Sequence, residues 1–424
     1  MEATCFDEQS TDAKVMLGID EFTLVLQPVK KVNVNIWAGL AEDMIDEFVN
    51  LSKIKLLFGE LEQTEQNLVQ GYNTGYILEG RPFYLCICFH AVQEGMGVCC
   101  KFSATAYAMY KEEYLKEYKE EMNLPKFLRM VKSDNYTQRL SRVDFTADYF
   151  NVQDPIYQNQ YLHPDTIYNC LLKNQMKVVD CKGRTNIKTW TGLNKNGSYE
   201  TVYIGSRKGK TNGYLRIYNK KQEQIDNHGY RCREAEECNS WIRFEAVYKG
   251  IYSHQISEVL MNDALMQTDD DLKRFIAGKI IDKYIFKYTS NEDIVDFSEM
   301  LISIASGKEY ASLECASPRD NSLYQSLKYI IKNSGLLITL AKAHYLYVNQ
   351  NVEEKILDWI LYMFQDYYLD KIEANNNHEV YKWLKKHATE MQKQKIEDIL
   401  DYVEADITSE DAWMKSVQSM NRPI

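Results

Sequence analysis

Apolar and polar residues alternate with period two in several stretches of the first 250 residues. The last quarter of the chain instead repeats its apolar positions at i, i+3 and i+4. VMLGIDEFTLVLQPV (15–29) predicts a strand or strand pair, and AEDMIDEFVNLSKIKLLF (41–58) has helical spacing. RPFYLCICFHAV (81–92) and GMGVCCKFSATAYAM (95–109) are two β-type runs around a short turn with Glu94 and Gly95, the pattern of a hairpin. YKEEYLKEYKEEMNLPKFLRMV predicts a helix broken near Pro125, and a further helix is predicted over 164–176. Residues 252–287 read as helical, 288–320 as a weakly patterned connector containing SerProArgAspAsn, and 321–413 as helices throughout.

Three strands in the middle of the chain carry chemistry on one face. In SRVDFTADYF (141–150), Arg142, Asp144, Thr146 and Asp148 share a face opposite Val143, Phe145, Ala147 and Tyr149. In the strand predicted over 212–221, Tyr214, Arg216, Tyr218 and Lys220 oppose Leu215 and Ile217; in WIRFEAVYKG (241–250), Arg243 and Glu245 oppose Phe244 and Ala246. If these strands are neighbours, their ionised and phenolic faces converge.

Charge sharpens this pattern. The net charge of −11 hides a segment, 181–221, with ten Lys or Arg against the single acid Glu200. From residue 289 to the end, 14 basic residues face 22 acidic ones. The basic segment also holds Trp190, Tyr199, Tyr203, Tyr214 and Tyr218, aromatics suited to stacking on unpaired bases. The blander reading is a solvated charged face, and with 31 tyrosines in the chain any one of them is more often a packing residue.

Several chemistries are disfavoured by absent motifs. The seven histidines are scattered without a His-x-His or His-Glu-x-x-His pattern, and there is neither a P-loop, a dinucleotide fingerprint nor a Gly-x-Ser-x-Gly elbow. The ten cysteines lack zinc-finger spacing and read as buried free thiols in a reducing cytoplasm. No signal-peptide pattern and no run of 18 apolar residues occurs, so a cytoplasmic protein without a membrane partner is expected. What remains is oxygen chemistry. Asp144, Asp148 and Glu245 are candidate ligands for a hard cation, and a tyrosine nucleophile would need help from nearby cations, a base or a metal.

Taken in order, SRVDFTADYF, TVYIGSRKGKTNGYLRIYNKKQEQ (201–224) and WIRFEAVYKG resemble the replication initiation factor family. That family includes the initiators of small rolling-circle plasmids of Gram-positive bacteria and the nicking relaxases of integrative conjugative elements. The resemblance covers roughly residues 15–287. It implies an α+β fold for that part, a catalytic domain with a central, mostly antiparallel sheet flanked by helices; the helical spacing beyond it adds an all-helical C-terminal region, a tail longer than the minimal plasmid protein requires. The division expected is a flexible N-terminus (1–14), a DNA-nicking domain (15–287), a connector (288–320) and an acidic helical region (321–424).

The resemblance further implies a sequence-specific DNA endonuclease that acts by transesterification through a 5′-phosphotyrosine intermediate. The nucleophile falls on Tyr218 with Arg216 beside it, and Tyr203 in the YxGSR turn ranks second. A Mg²⁺ or Mn²⁺ ion would be held by Asp144, Asp148 and Glu245. Arg142, Tyr203, Arg207, Lys208, Lys210, Tyr214, Lys220 and Arg243 would contact DNA. Some of the arginines would instead pair with Asp144 or Glu245. The implied partner is origin DNA, double-stranded with a single-stranded nick site; a host helicase and a second copy of the chain are further candidates. Plasmid initiators usually carry Ser or Asp soon after the turn's arginine, whereas this turn reads LysGlyLysThrAsnGly. A non-catalytic DNA-binding regulator of the same fold and an adaptor acting through the helical tail are the alternatives.

Overall fold

The computed structural model describes residues 13–30, 32–78, 80–157, 159–185, 187, 189–195, 197–207, 211–306, 312–313, 323–332, 336–347, 351–363, 365–366, 395–401 and 403–404. The chain divides into two compact units, Met1–Glu314 and Cys315–Ile424. The first begins with β1 (Lys14–Pro28), α1 (Val34–Leu51), α2 (Ile54–Phe58), β2 (Glu62–Thr64), β3 (Thr74–Ile77), β4 (Leu85–Phe89) and β5 (Val98–Phe102). It continues with α3 (Ala104–Tyr118), α4 (Leu124–Met130), β6 (Tyr136–Phe150), α5 (Pro164–Leu172), β7 (Met176–Val179), β8 (Trp190–Lys195) and β9 (Ser198–Ile204). Then come β10 (Gly213–Asn219), α6 (Lys220–Asp226), α7 (Cys232–Glu237), β11 (Trp241–Lys249), α8 (Ile251–Leu260), α9 (Asp269–Lys283), β12 (Ile285–Tyr288) and α10 (Asp296–Ala305).

Ten strands form one sheet in the order β2-β3-β4-β5-β1-β6-β11-β10-β9-β8, while β12 pairs with β7 separately. The sheet is antiparallel at every described pairing. The three chemistry-bearing strands are therefore consecutive, β6 beside β11 beside β10. Their apolar faces, Val143, Phe145, Ala147, Tyr149, Phe244, Ala246, Leu215 and Ile217, are buried in the main core. Helices cover that side: the ring of Phe145 lies 5.9 Å from that of Phe275 in α9, and Tyr149 donates to Phe297 O in α10 at 2.8 Å.

Local chemistry moves several predicted boundaries. The run 95–109 is not one strand, because the Ser103 side chain accepts from Ala106 N and caps α3, ending β5 at Phe102. Pro125 sits in the first turn of α4, where its missing N–H breaks no helical bond. The strand predicted over 212–221 ends at Asn219, whose side chain accepts from Gln222 N and starts α6. Residues 252–287 are not wholly helical, since β12 closes the segment by pairing with β7. The stretch 288–320, expected as a connector, begins with α10, whose Phe297 ring lies 5.2 Å from that of Phe244.

The second unit holds α11 (Leu323–Lys332), α12 (Leu336–Leu346) and α13 (Val352–Met363). Residues 1–12 of the expected flexible N-terminus and most of the tail beyond Phe364 lie outside the described residues. No described helix is long and apolar enough to cross a membrane. Cys86, Cys88, Cys99, Cys100 and Cys170 are buried and unbridged, whereas Cys181 is exposed.

Candidate active site

Register puts the polar faces side by side. Across β6 and β11, Asp148 lies opposite Arg243 and Thr146 opposite Glu245; across β11 and β10, Glu245 lies opposite Arg216 and Arg243 opposite Tyr218. On the next strand, Arg216 faces Tyr203 and Tyr218 faces Thr201. Directly opposed side chains on one face are within reach of each other. The result is one continuous strip from Asp148 to Tyr203.

Tyr218 is 8% exposed, and its hydroxyl donates to Glu245 Oε2 at 3.3 Å. The same oxygen accepts from Arg216 Nη2 at 2.5 Å. Burial, and then the charge of Glu245, hold the phenol well above its ordinary pKa, so it is not ionised at neutral pH. Burial also pushes the Glu245 carboxyl above its ordinary value, against the pull of Arg216. Tyr218 thus has a proton to lose and a neighbouring carboxylate able to accept it. Arg216 packs its guanidinium 4.7 Å from the Tyr218 ring centre and keeps 36% of its side chain exposed.

Asp148 is engaged differently. Its two oxygens accept from Arg243 Nε at 2.6 Å and Nη2 at 2.8 Å, and Arg231 Nη1 adds a third contact at 3.2 Å. Burial pulls this carboxyl upward, but Arg243 and Arg231 outweigh it and leave the pKa lowered. Arg243 also donates through Nη1 to Asp20 at 2.6 Å, and only 2% of its side chain is exposed. It clamps two carboxylates and leaves almost no open surface, where a DNA contact was expected from the sequence. Asp144 accepts from Arg142 Nε at 2.9 Å and Nη2 at 2.6 Å, and Arg142 Nη1 reaches Glu21 at 2.8 Å. Burial pushes Asp144 up to about 8, opposed by Arg142 and reinforced by Glu245 and Glu21.

These partners bear on the expected metal. Both oxygens of Asp144 and of Asp148 are committed to guanidinium groups, and Glu245 Oε2 serves Arg216 and Tyr218. No group of three or more His, Cys, Asp or Glu able to hold a metal ion occurs among the described residues. The expected Asp144, Asp148 and Glu245 ligand set does not fit a bound Mg²⁺ or Mn²⁺ in this arrangement, because arginines already neutralise it.

The predicted DNA-contacting residues separate into groups. Arg207 is exposed and stacks 4.1 Å from the centre of the Tyr203 ring. Tyr214 is half-buried under Lys249, 5.3 Å away, and Arg142 keeps 29% of its side chain exposed. Lys220 opens α6 rather than ending the strand, yet its ammonium lies 5.6 Å from the Tyr218 ring centre; it is 4% exposed and pairs with Glu223 at 2.7 Å. Lys208 and Lys210 lie outside the described residues. Gly205 shows why the YxGSR turn needs its glycine, since φ is +93° there, a conformation L side chains rarely adopt.

Sequence reasoning missed Asp20, Glu21 and Arg231. Asp20 and Glu21 interrupt an apolar strand, and the irregularity in the β1–β6 register falls between Ile19 and Phe22. Arg231 comes from the loop before α7 and lies 4.2 Å from the centre of the Trp241 ring. The only signal for the first pair was two acids within VMLGIDEFTLVL. For Arg231 there was none.

Residues 138–300 match the family model described as replication initiation factor, a stretch that includes Asp148, Tyr218, Arg243 and Glu245. Among solved structures, the chain is similar to a rolling circle replication initiator protein from Geobacillus stearothermophilus, with 15% identity and a TM-score of 0.45 over 71% of this chain and 100% of that one. No curated protein matches the chain.

Proposed function

We propose that the replication initiation factor region at residues 138–300 makes this protein a sequence-specific DNA nickase that starts rolling-circle replication or conjugative transfer. The observation that carries the reading is the Tyr218 hydroxyl bonded to Glu245, with Arg216 on the same carboxylate and partly open to solvent. The Tyr218 oxygen attacks a backbone phosphorus. A Tyr–O–P bond forms to the 5′ side and the P–O3′ bond breaks. Glu245 receives the phenolic proton, and the departing oxygen takes a proton from water and leaves as a free 3′ hydroxyl. Arg216 holds a non-bridging oxygen and offsets the charge that grows in the transition state. The phosphodiester energy is retained in the tyrosine ester, so the strand can be rejoined or transferred while the 3′ hydroxyl primes synthesis.

The test is the covalent adduct. Incubated with supercoiled DNA flanking its own gene, the protein should become linked to a 5′ phosphate. Tyr218→Phe should abolish the adduct while specific binding, read by mobility shift, persists. An adduct that survives in this variant moves the nucleophile to another residue, Tyr203 first. Specific binding with no adduct from the unaltered protein supports the regulator reading instead.

A further inference from the structure

The polar face of the sheet runs on beyond the reacting groups, and a second line of residues crosses it. Thr23 of β1 lies opposite Lys101 of β5 on one side and opposite Arg142 of β6 on the other. Arg142 in turn lies opposite Lys249 of β11. Directly opposed residues share a face. Lys101, Thr23, Arg142 and Lys249 therefore form one row over four neighbouring strands, on the face away from Cys100 and Phe102 of the main core. Strands about 4.8 Å apart put the backbones of the two lysines about 14 Å from each other. Asp148 stands six residues after Arg142 on β6, opposite Arg243, and Arg243 is opposite Tyr218. At about 3.4 Å per residue, the row crosses the sheet about 20 Å along the strands from the line of Tyr218.

In this row the acids lie deeper than the cations. Glu21 Oε1 is 2.8 Å from Arg142 Nη1 and 3.4 Å from Lys101 Nζ, while both oxygens of Asp144 accept from Arg142. Only 2% of the Asp144 side chain and 17% of Glu21 are exposed, against 29% of Arg142 and 28% of Lys101. Buried carboxylates thus fix cations that still face solvent. Lys249 has no carboxylate partner among the described residues, and its ammonium stands 5.3 Å from the Tyr214 ring centre. Lys101 stands 5.7 Å from the centre of the Tyr84 ring in the same way. Three cations over two acids leave the row positive, and a lysine covers each ring. Stacking on unpaired bases needs an open ring, whereas a phosphate contact needs only a well-placed charge.

Resting on the nickase reading, we propose that Lys101, Arg142 and Lys249 hold the sugar-phosphate backbone of a duplex arm beside the nick site. At about 3.4 Å of helix axis per base pair, the 20 Å offset places this grip about six pairs from the scissile phosphate. The contact is independent of sequence and sets the position of the arm, so that the unpaired nick site meets Tyr218. Lys101 belongs to β5, outside the stretch 138–300 that matches the family model.

The experiment measures binding of the full chain, over a range of salt, to oligonucleotides that carry the mapped nick site beside a duplex arm. Lys101→Gln and Lys249→Gln each remove one charge. On arms longer than about six base pairs, each should lower the slope of log affinity against log salt by about one, and the double variant by about two. Lys101→Arg and Lys249→Arg keep the charge and should keep the slope. On shorter arms the Gln variants should bind with the slope of the unaltered protein. Thermal melts check that the variants fold; if Lys101→Gln does not, Lys249→Gln carries the test, since it strands no described carboxylate. An unchanged slope in a folded Gln variant overturns the proposal. Equal losses on a single strand of the same length overturn it as well, because the row then reads unpaired DNA. If the unaltered protein forms no adduct, the nickase reading falls by itself. The slopes are then read on linear duplex from the same DNA, where a drop in the Gln variants keeps the row as a duplex contact and no drop removes it.

Discussion

At Glu245 a single carboxylate oxygen serves both a phenol and a guanidinium, and its burial decides how it behaves. A carboxyl raised above its ordinary value is a better proton acceptor near neutral pH than an exposed one. The adduct-forming rate of the unaltered protein should rise with pH as Glu245 loses its proton. Glu245→Gln should flatten that rise and lower the rate by about 10²–10⁴-fold, measured by single-turnover adduct formation. Asp148 runs the other way. Its folded pKa is depressed, so its stabilisation is fully present above the unfolded value of about 4 and is lost as pH falls through the lower folded value. Asp148→Asn leaves the buried Arg243 with Asp20 as its one remaining carboxylate among the described contacts and should lose stability at neutral pH, up to about 3–5 kcal/mol. Thermal melts should show the variant less stable there and less sensitive to acid than the unaltered protein.

At the scale of an element, β10 and its neighbours decide how closely the reacting groups meet. Gly213 opens β10 opposite Tyr248, and a Cβ there would stand 2.6 Å from Val247 O. No flexible side chain can give way at that point, because the obstacle is backbone. Gly213→Ala should therefore part the start of β10 from β11. The expected loss is about 1–3 kcal/mol in chemical denaturation, with slower adduct formation as Arg216 and Tyr218 shift from Glu245. The same strand shows how far alternation could be read. Tyr214, Arg216 and Tyr218 share the predicted face because period two holds through them. Lys220 leaves the strand because Asn219 caps a helix, a contest between two local preferences that a strand pattern does not reveal, although its ammonium still reaches the Tyr218 ring.

For the whole molecule, the basic segment weakens once its partners are counted. Arg184, Arg216 and Lys220 pair with Asp180, Glu245 and Glu223, and Lys221 donates to Cys238 O at 2.6 Å. A charge excess in sequence is thus only partly available to phosphates. The compact first unit closes at Glu314 and contains the entire strip from Asp148 to Tyr203. A chain ended after Glu314 should melt as one cooperative transition and form the adduct at the rate of the full protein. A lost transition or a lost adduct would give the helical region a part in folding or catalysis.

The sequence alone determined the faces of β6, β10 and β11, because side-chain direction along a strand follows from the backbone with period two. It also determined the ordered motifs and the glycine of the YxGSR turn, since these depend on neighbours in the chain. Tertiary structure decided which carboxylate meets which cation. Arg243 is spent on Asp148 and Asp20, Arg142 on Asp144 and Glu21, and Glu245 is shared by Arg216 and Tyr218. Strand order and register set the pairings between strands, across as many as 223 residues of chain, whereas Arg142 and Asp144 already share a face of one strand. An acid reads the same in sequence whether it will face a metal, an arginine or a phenol, and only the residues folded against it settle which.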